Sequence, residues 1–276
     1  MNIKLNLKRI IFKLIRIIYK GINKYISIDD KTILFISYHG KGYLCNPKYL
    51  HKYMYEHEEY SNYKYIWAVK NNKNINIKNA KVIRYAGIKY FYYLARSKYW
   101  IVNCKLPGYV IKRQGQIYLQ TWHGTPLKRL AYDIKIGDKA TFYRSKMSRE
   151  SMLKTYDKDV ERYDYFISPN RFSTEKFETA FKISKEKLIE SGYPRNDFIS
   201  NITEQEIDNL KEKYNITKDK KVILYAPTWR DNSFSDKGYI FKLQVDFKLW
   251  KDKLEEEYVV IFKPHYLIFN KYVNND

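Results

Sequence analysis

Residues 32–69 read TILFISYHGKGYLCNPKYLHKYMYEHEEYSNYKYIWAV. A β-rich run, Thr32–Ser37, gives way to a helical stretch, Pro47–Glu56, and then to a second β-rich run, Tyr65–Val69. Strands alternating with helices in this way predict an α/β fold with a mostly parallel sheet. The alternation continues outward. Further strands are predicted at Lys81–Arg84, Tyr99–Val102, Ile117–Thr121, Tyr165–Ser168, Val222–Tyr225 and Tyr258–Phe262, and helices at Ile88–Arg96, Lys146–Tyr156, Ser173–Phe181 and Asp246–Leu254. The runs VILY and VVIF are continuously apolar, as strands buried on both faces are.

Between Asp197 and Lys221 the pattern breaks. Thr203 and Glu206 have capping-box spacing, and Ile207, Leu210 and Tyr214 follow on one helical face. This helix reads as the bridge between two α/β domains. The organisation expected is an N-terminal segment over 1–28, a Rossmann-like domain over 29–200, and a linker helix with a second domain over 201–276. Two strands and one helix are too few for an independent doubly wound domain, so the sequence is expected to stop inside its second domain.

The chain has 276 residues, of which 45% are hydrophobic, and a net charge of +22 carried mostly by lysine. That composition supports a packed core rather than disorder. The charge fits an anionic partner: nucleic acid, an anionic membrane or a phosphate-rich substrate. The abundance of Lys, Asn, Ile and Tyr also fits the bias of AT-rich coding DNA. Cys45 and Cys104 have no metal-ligand spacing and fit a reducing compartment. No apolar run has the length of a bilayer span, and basic residues interrupt the N-terminal apolar stretch where a signal peptide would need continuity. The chain is therefore expected in the cytosol or on the inner membrane surface.

The first 26 residues form a basic amphipathic helix when projected at about 100° per residue. Leu7, Ile10, Ile11, Leu14, Ile18, Ile22 and Tyr25 share one face, and Arg9, Lys13, Arg16, Lys20 and Lys24 the other. Such a helix suits the headgroup region of an anionic membrane. Alternatively, its apolar stripe packs on the neighbouring domain.

The histidines differ in setting. His51 and His57 lie among Lys, Glu and Tyr in a helical region and read as solvated. His39, in SYHGKG, follows the first strand, where a turn role fits as well as ligand binding. His123 follows the strand IYLQT and precedes Gly124, Thr125, Pro126, Leu127, Lys128 and Arg129. Loops at the carboxyl ends of parallel strands are where open α/β sheets bind ligands. Glycine permits close approach, and proline suits a first helical turn whose free N–H groups would face an anion. An imidazole placed there can take a proton from an attacking hydroxyl; the alternative is a histidine that caps the loop. His265 closes YVVIFKPH beside Lys263 and Pro264, a setting suited to phosphate contact. SGYPRND (191–197) and YAPTWRD (225–231) add Arg195, Thr228 and Arg230. Arginine binds phosphate bidentately, though Arg195 and Asp197 could equally form an ion pair at a hinge. No GxGxxG, phosphate-loop, HExxH or GxSxG motif occurs. The 29 tyrosines could serve single-stranded nucleic acid, but many occupy apolar strand or helix positions and read as core-edge residues.

Together, SYHGKGYLCNPKYL (37–50), SKYWIVN (97–103), LQTWHGTPLKRL (119–130), DYFISPN (164–170), SGYPRND (191–197), YAPTWRD (225–231) and FKPH (262–265) resemble the CDP-glycerol glycerophosphotransferase family of teichoic acid primases and polymerases. The resemblance covers most of the chain after residue 32. It implies a two-domain fold of glycosyltransferase B type, acting without metal or cofactor in an interdomain cleft. It also implies transfer of a polyol phosphate from a CDP-activated donor to a membrane-linked acceptor at the cytoplasmic membrane face, with no nucleic-acid partner. His123 matches the family's general base. Pro227, Thr228 and His265 match donor-binding positions, as does Arg195, and His265 would contact the donor pyrophosphate. Two departures stand out. Cys45 replaces the family's early aspartate, and the chain ends at Asp276 before any ITDYSS-type donor segment. The sequence is thus expected to be a fragment of a longer protein or a truncated product; in the second case an acceptor-binding, non-catalytic remnant is the alternative.

Overall fold

The computed structural model describes residues 3–137, 147–227, 234–235, 238–239 and 244–265. The chain divides into two compact units, Met1–Ser200 and Asn201–Asp276.

In the first unit, helix α1 (Ile3–Tyr25) leads into strand β1 (Asp29–Ile36), and the alternation predicted from 32–69 follows: α2 (Cys45–Glu56), β2 (Lys64–Val69), β3 (Ala80–Arg84), α3 (Ile88–Arg96), β4 (Ser97–Val102), β5 (Ile117–Gln120), α4 (Arg149–Val160), β6 (Tyr165–Ser168), α5 (Arg171–Phe181) and β7 (Leu188–Glu190). All seven strands join one parallel sheet in the order β3-β2-β1-β4-β5-β6-β7. The order reverses between β1 and β4, and such a switch point opens a crevice at the carboxyl ends of the two strands.

Successive side chains of β1 enter two cores. Leu34 and Ile36 join Trp100, Tyr118 and Phe166 under residues of α1, α3, α4 and α5. Ile33 and Phe35 join Tyr65, Trp67 and Ile101 under α2. Period-two alternation into two apolar layers is why these strands read as unbroken hydrophobic runs. Phe35 stacks on Trp67 at 5.1 Å and 8°.

Four sequence expectations need correction. His51, read as solvated, is 0% exposed. It lies on the stripe of α2 with Pro47, Leu50 and Met54, and its ring meets Phe35, Tyr65 and Trp67 edge-on. Helix α4 starts at Arg149, inside the predicted Lys146–Tyr156, because Ser148 caps it by accepting the Ser151 N–H; Lys146 lies outside the described residues. The segment from Pro126 does not form a helix and runs irregularly to a 3₁₀ turn at Ala131–Asp133. Strand β7 was missed, since three residues carry too little period to read.

Helix α1 also differs in how it is faced. Tyr19 and Asn23 are buried and Ile15 and Ile22 pack beside them. Arg16 donates to the Gly108 carbonyl (3.0 Å) and Asn23 to that of Ile111 (3.2 Å). The docked face is therefore this mixed one. Ile10, Ile11, Leu14, Ile17 and Ile18 stay between 45% and 68% exposed.

After the short helix α6 (Asp197–Asn201), the second unit contains α7 (Glu204–Lys213), β8 (Lys221–Tyr225), a hairpin of β9 (Phe234–Ser235) and β10 (Gly238–Tyr239), α8 (Phe247–Leu254) and β11 (Tyr258–Phe262). The predicted capping box is formed in full at α7. Strands β8 and β11 pair in parallel from Lys221↔Tyr258 to Tyr225↔Phe262. Helix α8, capped by Asp246, covers them through Tyr225–Trp250 and Phe247–Phe262 ring contacts at 5.5 and 5.1 Å.

Candidate active site

Three loops at the carboxyl edge of the first sheet converge at the β1/β4 switch point. From the β1 loop, the Tyr38 N–H donates to Asn103 Oδ1 (2.8 Å), and Asn103 Nδ2 donates to Ser37 Oγ (3.3 Å). Asn103 directly follows β4 and is fully buried, so these bonds fix the backbone that carries its carbonyl. That carbonyl lies 2.5 Å from His123 Nδ1. A carbonyl only accepts, so Nδ1 carries the proton and Nε2 keeps the lone pair.

The ring of His123 is held on its faces as well. Trp122 stacks on it at 4.5 Å and Tyr38 meets it edge-on at 5.5 Å. Trp122 takes a left-handed backbone (φ 48°), which turns the chain out of β5 and is stabilised by a bond from its N–H to Gln120 Oε1 (3.0 Å). Burial pushes the His123 imidazole below its ordinary value; the bond to Asn103 opposes this, and Arg195 adds to it. The lowered imidazole favours the neutral form at pH 7, the form able to accept a proton.

Arg195 enters from the 3₁₀ turn Pro194–Asn196. Its Nη1 donates to the His123 carbonyl (3.0 Å) and to Cys45 Sγ (3.2 Å). The Tyr38 hydroxyl also donates to Cys45 Sγ (3.4 Å). Buried Asn46, at the start of α2, donates from Nδ2 to the Thr121 and Trp122 carbonyls (2.9 and 3.0 Å). Tyr193 donates its hydroxyl to the Gly124 carbonyl (2.9 Å). The structure thus brings His123, Gly124 and Arg195 together and ties Arg195 to the histidine loop.

Downstream, Thr125 and Lys128 are exposed, Pro126 is buried and Leu127 is 84% exposed. Pro126, Leu127 and Lys128 line a cavity of about 380 Å³ with Phe172 and Lys176 of α5. The free N–H groups expected of a helix start do not arise there. In the second unit, the Lys263 N–H donates to the Tyr225 carbonyl (2.9 Å) and the His265 N–H to that of Pro227 (3.2 Å). Pairing therefore continues past β8 and β11 and sets Pro227 beside Pro264 and His265. Thr228 and Arg230 lie outside the described residues.

Tyr38, Asn46, Asn103 and Tyr193 were not singled out from sequence, although each lies inside a motif string quoted above. Among the described residues no cluster of His, Cys, Asp and Glu could hold a metal ion.

Residues 18–276 match the family model for CDP-glycerol:poly(glycerophosphate) glycerophosphotransferase. The chain is 40% identical over 259 residues to a teichoic acid poly(glycerol phosphate) polymerase of Staphylococcus epidermidis, covering 92% of this chain and 35% of the relative. It is 41% identical over 244 residues to the polymerase of the same name from Bacillus spizizenii, covering 87% of this chain and 60% of the relative. It thus spans between about a third and three-fifths of these relatives' own length. A structure of the wall teichoic acid polymerase TagF soaked with CDPG superposes with a TM-score of 0.82 at 36% identity, covering 96% of this chain and 64% of that one.

Proposed function

The chain belongs to the CDP-glycerol:poly(glycerophosphate) glycerophosphotransferase family, and on that premise we propose that it carries the catalytic base for transfer of glycerol phosphate from CDP-glycerol to a hydroxyl of a membrane-linked acceptor in teichoic acid synthesis. The observation that carries this reading is the His123 Nδ1–Asn103 carbonyl bond, which commits Nε2 to accepting a proton. In the reaction, the acceptor oxygen attacks the glycerol-bearing phosphorus of the donor. A P–O bond forms there, the P–O bond to CMP breaks, and the hydroxyl proton passes to Nε2. The products are CMP and an acceptor one glycerol phosphate longer.

Arg195 is assigned to position the His123 loop and to bring positive charge toward the reacting phosphate. Gly124, Thr125, Pro126, Leu127 and Lys128 belong to the substrate-binding loop in this reading. Pro227, Thr228, Lys263, Pro264 and His265 are assigned to the donor, with His265 toward its pyrophosphate. The two-domain arrangement of glycosyltransferase B type is part of the same proposal. So is residence at the cytoplasmic membrane face, which the exposed apolar stripe of α1 beside its lysines supports. No helix among the described residues is long and apolar enough to cross a membrane.

The test is CMP release from CDP-glycerol in the presence of a lipid-linked acceptor ending in glycerol phosphate. His123→Ala should lower the rate by about 10²–10⁴. No release with either CDP-glycerol or CDP-ribitol would leave the non-catalytic, acceptor-binding remnant as the reading to pursue.

A further inference from the structure

Beside His123 the sheet edge gathers basic residues that the transfer step does not use. Lys70 follows β2, His39 follows β1 and Lys105 follows β4, and these three strands are neighbours in the sheet. Their backbones are tied together. The Lys70 N–H donates to the carbonyl of Gly40, next to His39 (2.7 Å). The His39 N–H donates to Sγ of Cys104, next to Lys105 (3.3 Å). On the other side of His39, Tyr38 carries the ring that meets His123.

Neither lysine forms an ion pair with a carboxylate among the described residues. Lys105 is half-buried, and its Nζ donates to Thr155 Oγ1 (2.8 Å) and lies 3.4 Å from the Tyr156 ring centroid. The buried carboxylate whose charge acts on Lys105, Asp159, is also engaged by Arg162, the Tyr163 hydroxyl and the Leu106 N–H. Desolvation pushes the Lys105 ammonium down to about 8. Desolvation and then the cations of Lys70 and Lys105 also lower the His39 imidazole. Two ammonium groups and an imidazole therefore gather at the same edge, and the one acidic group that acts on Lys105, Asp159, is shared with Arg162. That arrangement suits a singly charged, strongly accepting ligand.

We propose that His39, Lys70 and Lys105 form a subsite for the phosphodiester of the acceptor chain, seating its last phosphate so that the terminal hydroxyl reaches His123. The inference rests on the transfer reading above. A glycerol phosphate polymer separates its terminal hydroxyl from the preceding phosphate by one glycerol, so holding that phosphate at the β1/β2/β4 edge orients the nucleophile at the β5 loop. The subsite recognises the repeating linkage and leaves the lipid end unread.

Binding, measured apart from turnover, tests this. Glycerophosphoglycerol, a diester with one such linkage, is titrated into the chain by calorimetry, with uncharged diglycerol as the comparison. Lys70→Gln combined with Lys105→Gln should weaken diester binding at least about tenfold, as losing charged hydrogen bonds implies. Lys154→Gln, which removes one charge from the exposed side of α4, should change it less than about twofold. Equal weakening in the two variants would reduce the effect to general attraction by a basic protein and overturn the subsite. So would binding of diglycerol as tight as that of the diester, or no diester binding by the unaltered chain. Should the double variant fail to fold, the Lys105 ammonium is followed by NMR in the unaltered chain, and its titration midpoint must rise when the diester is added; a fixed midpoint overturns the proposal. Diester binding with the expected variant pattern but no CMP release would sink the transfer reading and leave the subsite standing.

Discussion

The bond between His123 Nδ1 and the Asn103 carbonyl sets both the tautomer and the operating range of the proposed base. Because burial lowers the imidazole below its ordinary value, the basic form prevails at pH values above a midpoint that itself lies below 6.5. The acid limb of kcat against pH should therefore rise with a midpoint below 6.5 and level off by neutrality; a midpoint above 7 contradicts the assignment. Arg195 is a second test at this scale. Its Nη1 holds the His123 carbonyl and Cys45 Sγ at once, whereas lysine offers a point charge on a flexible stem. Arg195→Lys should cost kcat about tenfold or more while leaving the thermal midpoint within a few degrees, read from steady-state kinetics beside a melting curve. Sequence set His123 in a loop after a strand, where the structure also has it, because a strand end and its glycine leave a local mark. It could not pair Asn103 with His123 or Asn46 with Trp122, since those bonds join residues 20 and 76 positions apart.

Among the elements, α2 shows how a single face can be misread. His51 is flanked in sequence by Leu50 and Lys52, and the polar neighbours suggested solvent. Helical spacing instead sets it with Pro47 and Met54 against Phe35 and Trp67. Its Nδ1 lies 3.1 Å from the Tyr43 hydroxyl, and burial depresses the imidazole to about 4. The sign follows from linkage. The unfolded chain takes up this proton near 6.5 and the folded chain only near 4, so the stability is fully present above 6.5 and is lost as pH falls toward 4. Between pH 7.5 and 4.5 the loss attributable to His51 should be about 2–3 kcal/mol. Urea denaturation at both pH values checks it, with His51→Phe losing correspondingly less stability on acidification. The loop from Pro126 illustrates the converse error. Proline at a helix start is a local cue, but Leu127 points to solvent, and no apolar stripe follows to bury a helix face.

At the scale of the molecule, the strand–helix alternation was legible because both faces of the sheet are covered, leaving unbroken apolar runs in β1, β2 and β4. The facing of α1 was less so. An amphipathic projection finds an apolar stripe but cannot say which side docks, and here Tyr19 and Asn23, with Ile15 and Ile22, take the domain while Ile10, Ile11, Ile17 and Ile18 remain exposed. The chain should therefore co-sediment with vesicles containing anionic lipid, and Ile17→Glu with Ile18→Glu should reduce that binding about tenfold or more; unchanged sedimentation would return the stripe to a role within the protein. The strand order has a different consequence, one of timing. Strand β1 pairs with β2 on one side, but its other neighbour, β4, begins at Ser97. A ribosome working at about 5–20 residues per second needs roughly 3–12 s to make the roughly 60 residues between them. From the completion of β2 at Val69 to the end of that interval, the nascent half-sheet presents a hydrophobic strand edge with nothing to close it. Any demand for chaperone cover during synthesis should therefore peak while residues 70–102 are being translated.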